Sequence, residues 1–131
     1  MNRSTIIGAI CTLFIVAAVI LVITDKKVEN NEFRKIAINE VSSIGKNGSE
    51  FIYIFSEECS ACGIYKPILK KAILETDAVV YQMDFLSEKN KEFLSEKNVD
   101  SVPILLEIRE GIIVNRYEGA RELSETVTIL K

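Results

Sequence analysis

Cys59 and Cys62, three apart, are the residues of this chain best placed to do chemistry. They end an apolar run, Phe51-Ile52-Tyr53-Ile54-Phe55, followed by Ser56-Glu57-Glu58. The residues after Cys62 carry apolar side chains at helical spacing, so Cys59 falls at a helix start. There the unpaired N–H groups of the first turn and the positive end of the helix dipole stabilise a thiolate, the nucleophile of disulfide exchange. Cys62, one turn on, can close a small ring. The chemistry these residues predict is reversible dithiol–disulfide exchange, with Cys59 attacking and Cys62 resolving the mixed disulfide. The chain has no His, which excludes imidazole acid–base chemistry and His-containing metal sites.

Other uses of the pair are weaker. A purely structural bridge across so short a loop would restrain the unfolded chain little. Zinc needs four ligands, and with the third cysteine, Cys11, inside an apolar segment the chain cannot close such a site without carboxylates. Two thiolates can hold Cu(I), so a copper carrier stands as an alternative. No cofactor and no metal ligand is assigned. Tyr53 and Tyr65 read as packing residues rather than acids. Glu57 and Glu58 oppose a thiolate at Cys59, an effect that solvent screens if they are exposed.

The elements that position the pair follow from periodicity. Glu32 to Ile44 places Phe33, Ile36, Ala37, Glu40, Val41 and Ile44 on one mostly apolar face, predicting an amphipathic helix ended by Gly45-Lys46-Asn47-Gly48. Glu50 to Phe55 reads as a central strand, and the helix after Cys59 runs to about Glu75, interrupted by Pro67. Ala78 to Asp84 is a strand parallel to the first if a helix crosses between them. Ser87 to Asn98 is a short polar helix with a solvated face. Ile104–Arg109 and Ile112–Tyr117 alternate like strands around Glu110-Gly111, which suits a tight hairpin. A last short helix ends at Lys131.

Before this domain, Ser4 to Thr24 is a run of 21 uncharged residues, about 30 Å long as a helix and enough to cross a bilayer. The expected layout is a tail at 1–5, a transmembrane anchor at 6–24, a tether at 25–31 and one α/β domain at 32–131. No small-x-small cleavage site follows the apolar run, and Ile10 before Cys11 argues against lipid attachment. Lys26, Lys27, Arg34 and Lys35 after the span favour a cytoplasmic domain on a plain count of charges. The short amino-terminal tail instead resembles an uncleaved secretory signal, and an extracytoplasmic domain is expected. Residues 28–131 hold 13 Lys and Arg against 18 Asp and Glu, a net charge of −5, which argues against a nucleic-acid partner.

The element order, with CxxC between a strand and its helix, resembles the thioredoxin fold over about Glu32 to Lys131. The match rests on Cys59-Ser60-Ala61-Cys62, on Pro67 in the following helix, on Val102-Pro103 before the hairpin, and on Gly119 after the last strand. The resemblance implies a central mixed sheet of about four strands flanked by helices and a cis Val102–Pro103 bond beside the disulfide. It also implies a substrate chain held by Val102 and Pro103 while Cys59 exchanges with its cysteines. Thioredoxin-type reductases carry a buried acid six residues before the first Cys; here that position is Tyr53, so the Cys62 proton must leave by another route.

The front end, the anchor and Glu118-Gly119-Ala120-Arg121 are similar to membrane-anchored thiol–disulfide oxidoreductases and bacteriocin-transport accessory proteins of Gram-positive bacteria. That similarity implies disulfide exchange on cysteine-containing exported proteins or peptides; Ser60-Ala61 leaves its direction open, and the extracytoplasmic placement makes an oxidase or isomerase the expectation in preference to a reductase, which would draw electrons from a membrane redox partner. A noncatalytic accessory protein for peptide export is the alternative of the same build.

Overall fold

The computed structural model describes residues 33–36 and 38–131, all within the compact unit Glu32–Lys131. The expected tail, anchor and tether at 1–31 lie outside the described residues. Among the described residues, no helix is long and apolar enough to cross a membrane.

The strands are β1 (Arg34–Lys35), β2 (Glu50–Phe55), β3 (Val80–Asp84), β4 (Ile104–Arg109) and β5 (Ile112–Glu118); the helices are α1 (Ser60–Thr76), α2 (Lys91–Glu96) and α3 (Leu123–Ile129). The strands form one mixed sheet of five in the order β1-β3-β2-β4-β5. β2 pairs parallel with β3, Phe51 to Val80 through Phe55 to Asp84, and antiparallel with β4, Glu50 to Ile108 through Ile54 to Ile104. β2 is therefore central, and four of its six residues are fully buried, as expected for a strand covered on both faces.

Alternation along β2 sorts the core into two layers. Ile52 and Ile54 face Met83, Leu106 and Ile108, closed by Phe93 and Leu94 of α2 and by Val41 and Ile44. Phe51 and Tyr53 face Leu105 and Val80, closed by Tyr65, Leu69, Ala72 and Ile73 of α1 and by residues of α3. α1 stops at Asp77, a left-handed cap whose N–H bonds the Ile73 carbonyl at 2.9 Å.

Three expectations need correction. The helix predicted from Glu32 to Ile44 is instead strand β1 and a 3-10 turn, Ile38–Ser43. Arg34 and Lys35 pair with Tyr81 and Gln82 of β3, so an unfilled sheet edge outcompetes a weak helical preference. The extended backbone also sends Phe33 and Ile36 into opposite core layers, which one helix face could not do. The sheet accordingly has five strands rather than about four. The helix predicted over Ser87 to Asn98 divides into a 3-10 turn, Glu88–Asn90, and α2. The charged face of that segment, with Lys91, Glu92 and Glu96, is exposed as expected, and Phe93 and Leu94 are buried on the other side.

Two glycines lock the 3-10 turn to the β4–β5 hairpin. A Cβ on Gly45, at φ +75°, would lie 2.5 Å from the Ile108 carbonyl oxygen, and one on Gly111 would lie 2.7 Å from that of Ser42. The Gly111 N–H bonds the Ile44 carbonyl at 2.8 Å and the Glu110 N–H bonds that of Gly45 at 2.9 Å. Glu110 and Gly111 both have positive φ, the backbone of a tight two-residue hairpin turn.

Candidate active site

Three structural features deliver the site to one end of the sheet: the β2–α1 loop, the first turn of α1, and the loop before β4. Ser56, buried after β2, organises the loop. Its carbonyl accepts the Cys59 N–H at 3.2 Å and its hydroxyl accepts the Glu58 N–H at 3.1 Å. Ser56 belongs to no redox motif; its only sequence signal is a serine placed to close a turn.

Cys59 is the N-cap of α1, and its sulfur is the capping acceptor, 3.1 Å from the Cys62 N–H. An N-cap side chain normally supplies oxygen for this bond; supplied by sulfur, the same N–H stabilises a thiolate when the pair is reduced. Cys59 and Cys62 form a disulfide with Cα atoms 5.2 Å apart. The two sulfurs are not equivalent. Cys59 is half-buried, whereas Cys62 is 2% exposed, so an incoming thiolate meets Cys59 first. Pro67 lies inside α1 and removes the N–H that the Gly63 carbonyl would accept.

The Val102–Pro103 bond is cis. The Cys59 sulfur lies 3.6 Å from the Val102 carbonyl oxygen, so residues 43 apart in sequence meet, as the resemblance implies. Pro103 is buried at the head of β4, a strand flanked by β2 and β5, which excludes an edge-strand role. Its carbonyl accepts the Gly119 N–H at 2.8 Å, and Gly119 has φ +80°. Beside the loop a groove of about 760 Å³ is lined by Phe85, Leu86, Leu94, Val99 and Asp100 among others.

Tyr53 occupies the position of the missing acid. It is fully buried, stacked with Phe33 and Phe55 and edge-on to Tyr65, and its hydroxyl donates to the Cys62 carbonyl at 3.2 Å. Burial, then the neighbouring Tyr65 and Glu57, push its hydroxyl far above the ordinary tyrosine value. It is a neutral hydrogen-bond donor, not a base. Tyr65 is raised as well, chiefly by burial, and its oxygen accepts from the Thr126 hydroxyl at 3.4 Å.

A second polar cluster lies toward the other end of the sheet. Glu107 of β4 is 4% exposed. Its carboxylate accepts from the Ser49 hydroxyl at 2.7 Å, the Arg109 guanidinium at 2.8 Å, the Asn115 amide at 2.7 Å and the Tyr117 hydroxyl at 3.2 Å. Burial pushes this carboxyl up, but the hydrogen bonds from Asn115, Ser49, Arg109 and Tyr117 outweigh it and hold it below the ordinary carboxylate value.

Comparison with known proteins agrees with this architecture. The chain is 24% identical over 72 residues to a disulfide bond formation protein of Brevibacillus choshinensis, an alignment that takes in 54% of this chain and 61% of that protein. Among solved structures it is similar to Chlamydomonas reinhardtii thioredoxin f2, with TM-score 0.63 and 16% identity over 75% of this chain and 93% of that one. Fasciola hepatica thioredoxin gives TM-score 0.63 and 24% identity over 76% and 100%. The family model for thioredoxin matches residues 25–131, so the chain belongs to the thioredoxin family.

Proposed function

We propose that this chain is a membrane-anchored thiol–disulfide oxidoreductase acting on cysteine-containing exported proteins or peptides, as an oxidase or isomerase in preference to a reductase. The observation that carries the reading is the half-buried Cys59 sulfur, capped by the Cys62 N–H at 3.1 Å and 3.6 Å from the Val102 carbonyl, with Cys62 buried beside it.

In the oxidising direction a substrate thiolate attacks the Cys59 sulfur, and the Cys59–Cys62 bond breaks. Cys62 leaves as a thiolate and takes a proton. A second substrate thiolate then attacks the substrate sulfur of the mixed disulfide, releasing Cys59 as the thiolate stabilised at the helix start. The substrate gains a disulfide and the enzyme carries two electrons, which a membrane redox partner removes. Main-chain groups of Val102 receive the extended substrate as an added strand. Pro103, its carbonyl taken by Gly119, holds that edge in place.

Tyr53 supports the direction. A reductase needs Cys62 deprotonated to resolve the mixed disulfide, and Tyr53 is a donor where a base would serve. In the oxidising direction Cys62 is a leaving group and needs no base. The name of the Brevibacillus relative agrees. The anchor and extracytoplasmic placement rest on the uncharged run from Ser4 to Thr24. An exported peptide as substrate rests on the similarity to bacteriocin-transport accessory proteins.

Equilibration of the full chain, in detergent micelles, with defined thiol buffers tests the reading. A reduction potential near about −120 to −180 mV is expected of an oxidase or isomerase, whereas about −270 mV would mark a reductase.

A further inference from the structure

Lys66 follows Cys62 by one turn of α1, and side chains four apart on a helix have Cβ atoms about 5–6 Å apart. Its side chain is 35% exposed, with Nζ 4.9 Å from the centroid of the Phe55 ring and 3.6 Å from Glu57 Oε1. Phe55 stacks in turn on Tyr53, the donor to the Cys62 carbonyl. The ammonium is thereby held against the ring that ends β2 and against Glu57, two residues before Cys59.

Charged groups of both signs surround the pair: Lys35 and Lys89 line a groove with Phe55 and Asp84, and the segments on either side of the cysteines carry carboxylates. Glu57 and Glu58 precede Cys59, Asp84 lies in register with Phe55 at the end of β3, and Asp100 stands two residues before Val102. Tyr53, the buried titratable group, is neutral. Lys66 is the cation that engages Glu57, one of the two carboxylates that precede Cys59.

We propose that Lys66 and Glu57 act as an opposed pair of positioning charges that sets the reduction potential of Cys59/Cys62. Lys66 stabilises the thiolate of the reduced form and so makes the disulfide a stronger oxidant. Glu57 pulls the ammonium toward the rim and limits that effect. The inference rests on the oxidoreductase reading and names how the same site is tuned. In the measured reaction two glutathione thiols reduce the disulfide to two cysteine thiols and are joined as oxidised glutathione, so electrons and protons balance.

The test is the glutathione equilibrium constant and the pH profile of Cys59 alkylation, on the full chain in detergent micelles, for the unmutated protein, Lys66→Met, Lys66→Arg and Glu57→Gln. Lys66→Met is expected to make the disulfide about threefold less oxidising, about 14 mV at 29.6 mV per tenfold, and to move the alkylation midpoint up. Glu57→Gln is expected to shift both the other way by a similar factor, and Lys66→Arg to keep the unmutated values. A structural role alone would lower the melting temperature without opposite shifts in potential. Equal potentials in all four proteins, or shifts of Lys66→Met and Glu57→Gln in the same direction, would overturn the inference. Absence of exchange by the unmutated chain would overturn the oxidoreductase reading itself, and this inference with it.

Discussion

Glu107→Gln is expected to destabilise the domain at neutral pH and to leave it nearly indifferent at low pH. The native carboxylate accepts hydrogen bonds from four residues inside the protein. Hydrogen bonds to charged groups contribute about 1.5–3 kcal/mol each before the cost of burial, and breaking a buried ionic network typically costs about 3–5 kcal/mol. Arg109 is 60% exposed and can return to water, which places the loss near the lower figure, about 3 kcal/mol. At roughly 4–8 °C per kcal/mol for a domain of this size, the melting temperature falls by roughly 12–24 °C. The sign with pH follows from a folded-state carboxyl held below its ordinary value of 4.5. Its contribution is fully present above that value and is lost as pH falls through the lower folded value. Urea unfolding followed by circular dichroism, from pH 7 down to pH 3, should therefore show a gap between the two proteins that is widest near neutrality and narrows progressively below about pH 4.5. A gap of constant width, or no gap at pH 7, would refute the argument.

Cys62→Ser should accumulate substrates bound to Cys59 on nonreducing gels, and Cys59→Ser should not; trapping by the latter would reverse the two roles. Tyr53→Phe removes one buried donor and should cost about 1 kcal/mol without deleting any step from the pH profile of exchange between pH 5 and 9; a lost step would make Tyr53 a proton carrier. Gly45→Ala, forced against the Ile108 carbonyl at positive φ, should lower stability by more than about 1 kcal/mol in thermal melts; an unchanged melt would mean the turn can shift. A membrane-impermeant maleimide should label Cys59 in intact cells after reduction, and labelling only after lysis would place the domain in the cytoplasm.

The strands β2 to β5 and the long helix α1 were legible in the sequence because their patterns are local: alternation, a helical stripe, a two-residue turn. β1 was not, because a two-residue edge strand is decided by its partner β3, which lies more than 40 residues downstream. Glu107 escaped for a similar reason. A carboxylate in a strand reads as solvent-facing, and only Ser49, Asn115 and Tyr117, brought alongside by the fold, make burial tolerable. At the candidate site the cysteine pair and Val102-Pro103 were visible as motifs. The ammonium of Lys66 lying on Phe55 was not, since no spacing rule links a helix residue to the ring at the end of the preceding strand.

The contact between Cys59 and Val102 divides the site by chain distance. The two sulfurs are neighbours in sequence and meet in any state that keeps the first turn of α1, whereas the edge offered by Val102 arrives from 43 residues away and exists only after β2 has paired with β4. Under the proposed function, exchange chemistry is a property of a short peptide, and discrimination between substrates a property of the whole fold. On that proposal a partly unfolded molecule would be a dithiol with no choice of target, and sheet integrity would separate a selective catalyst from a generic reagent.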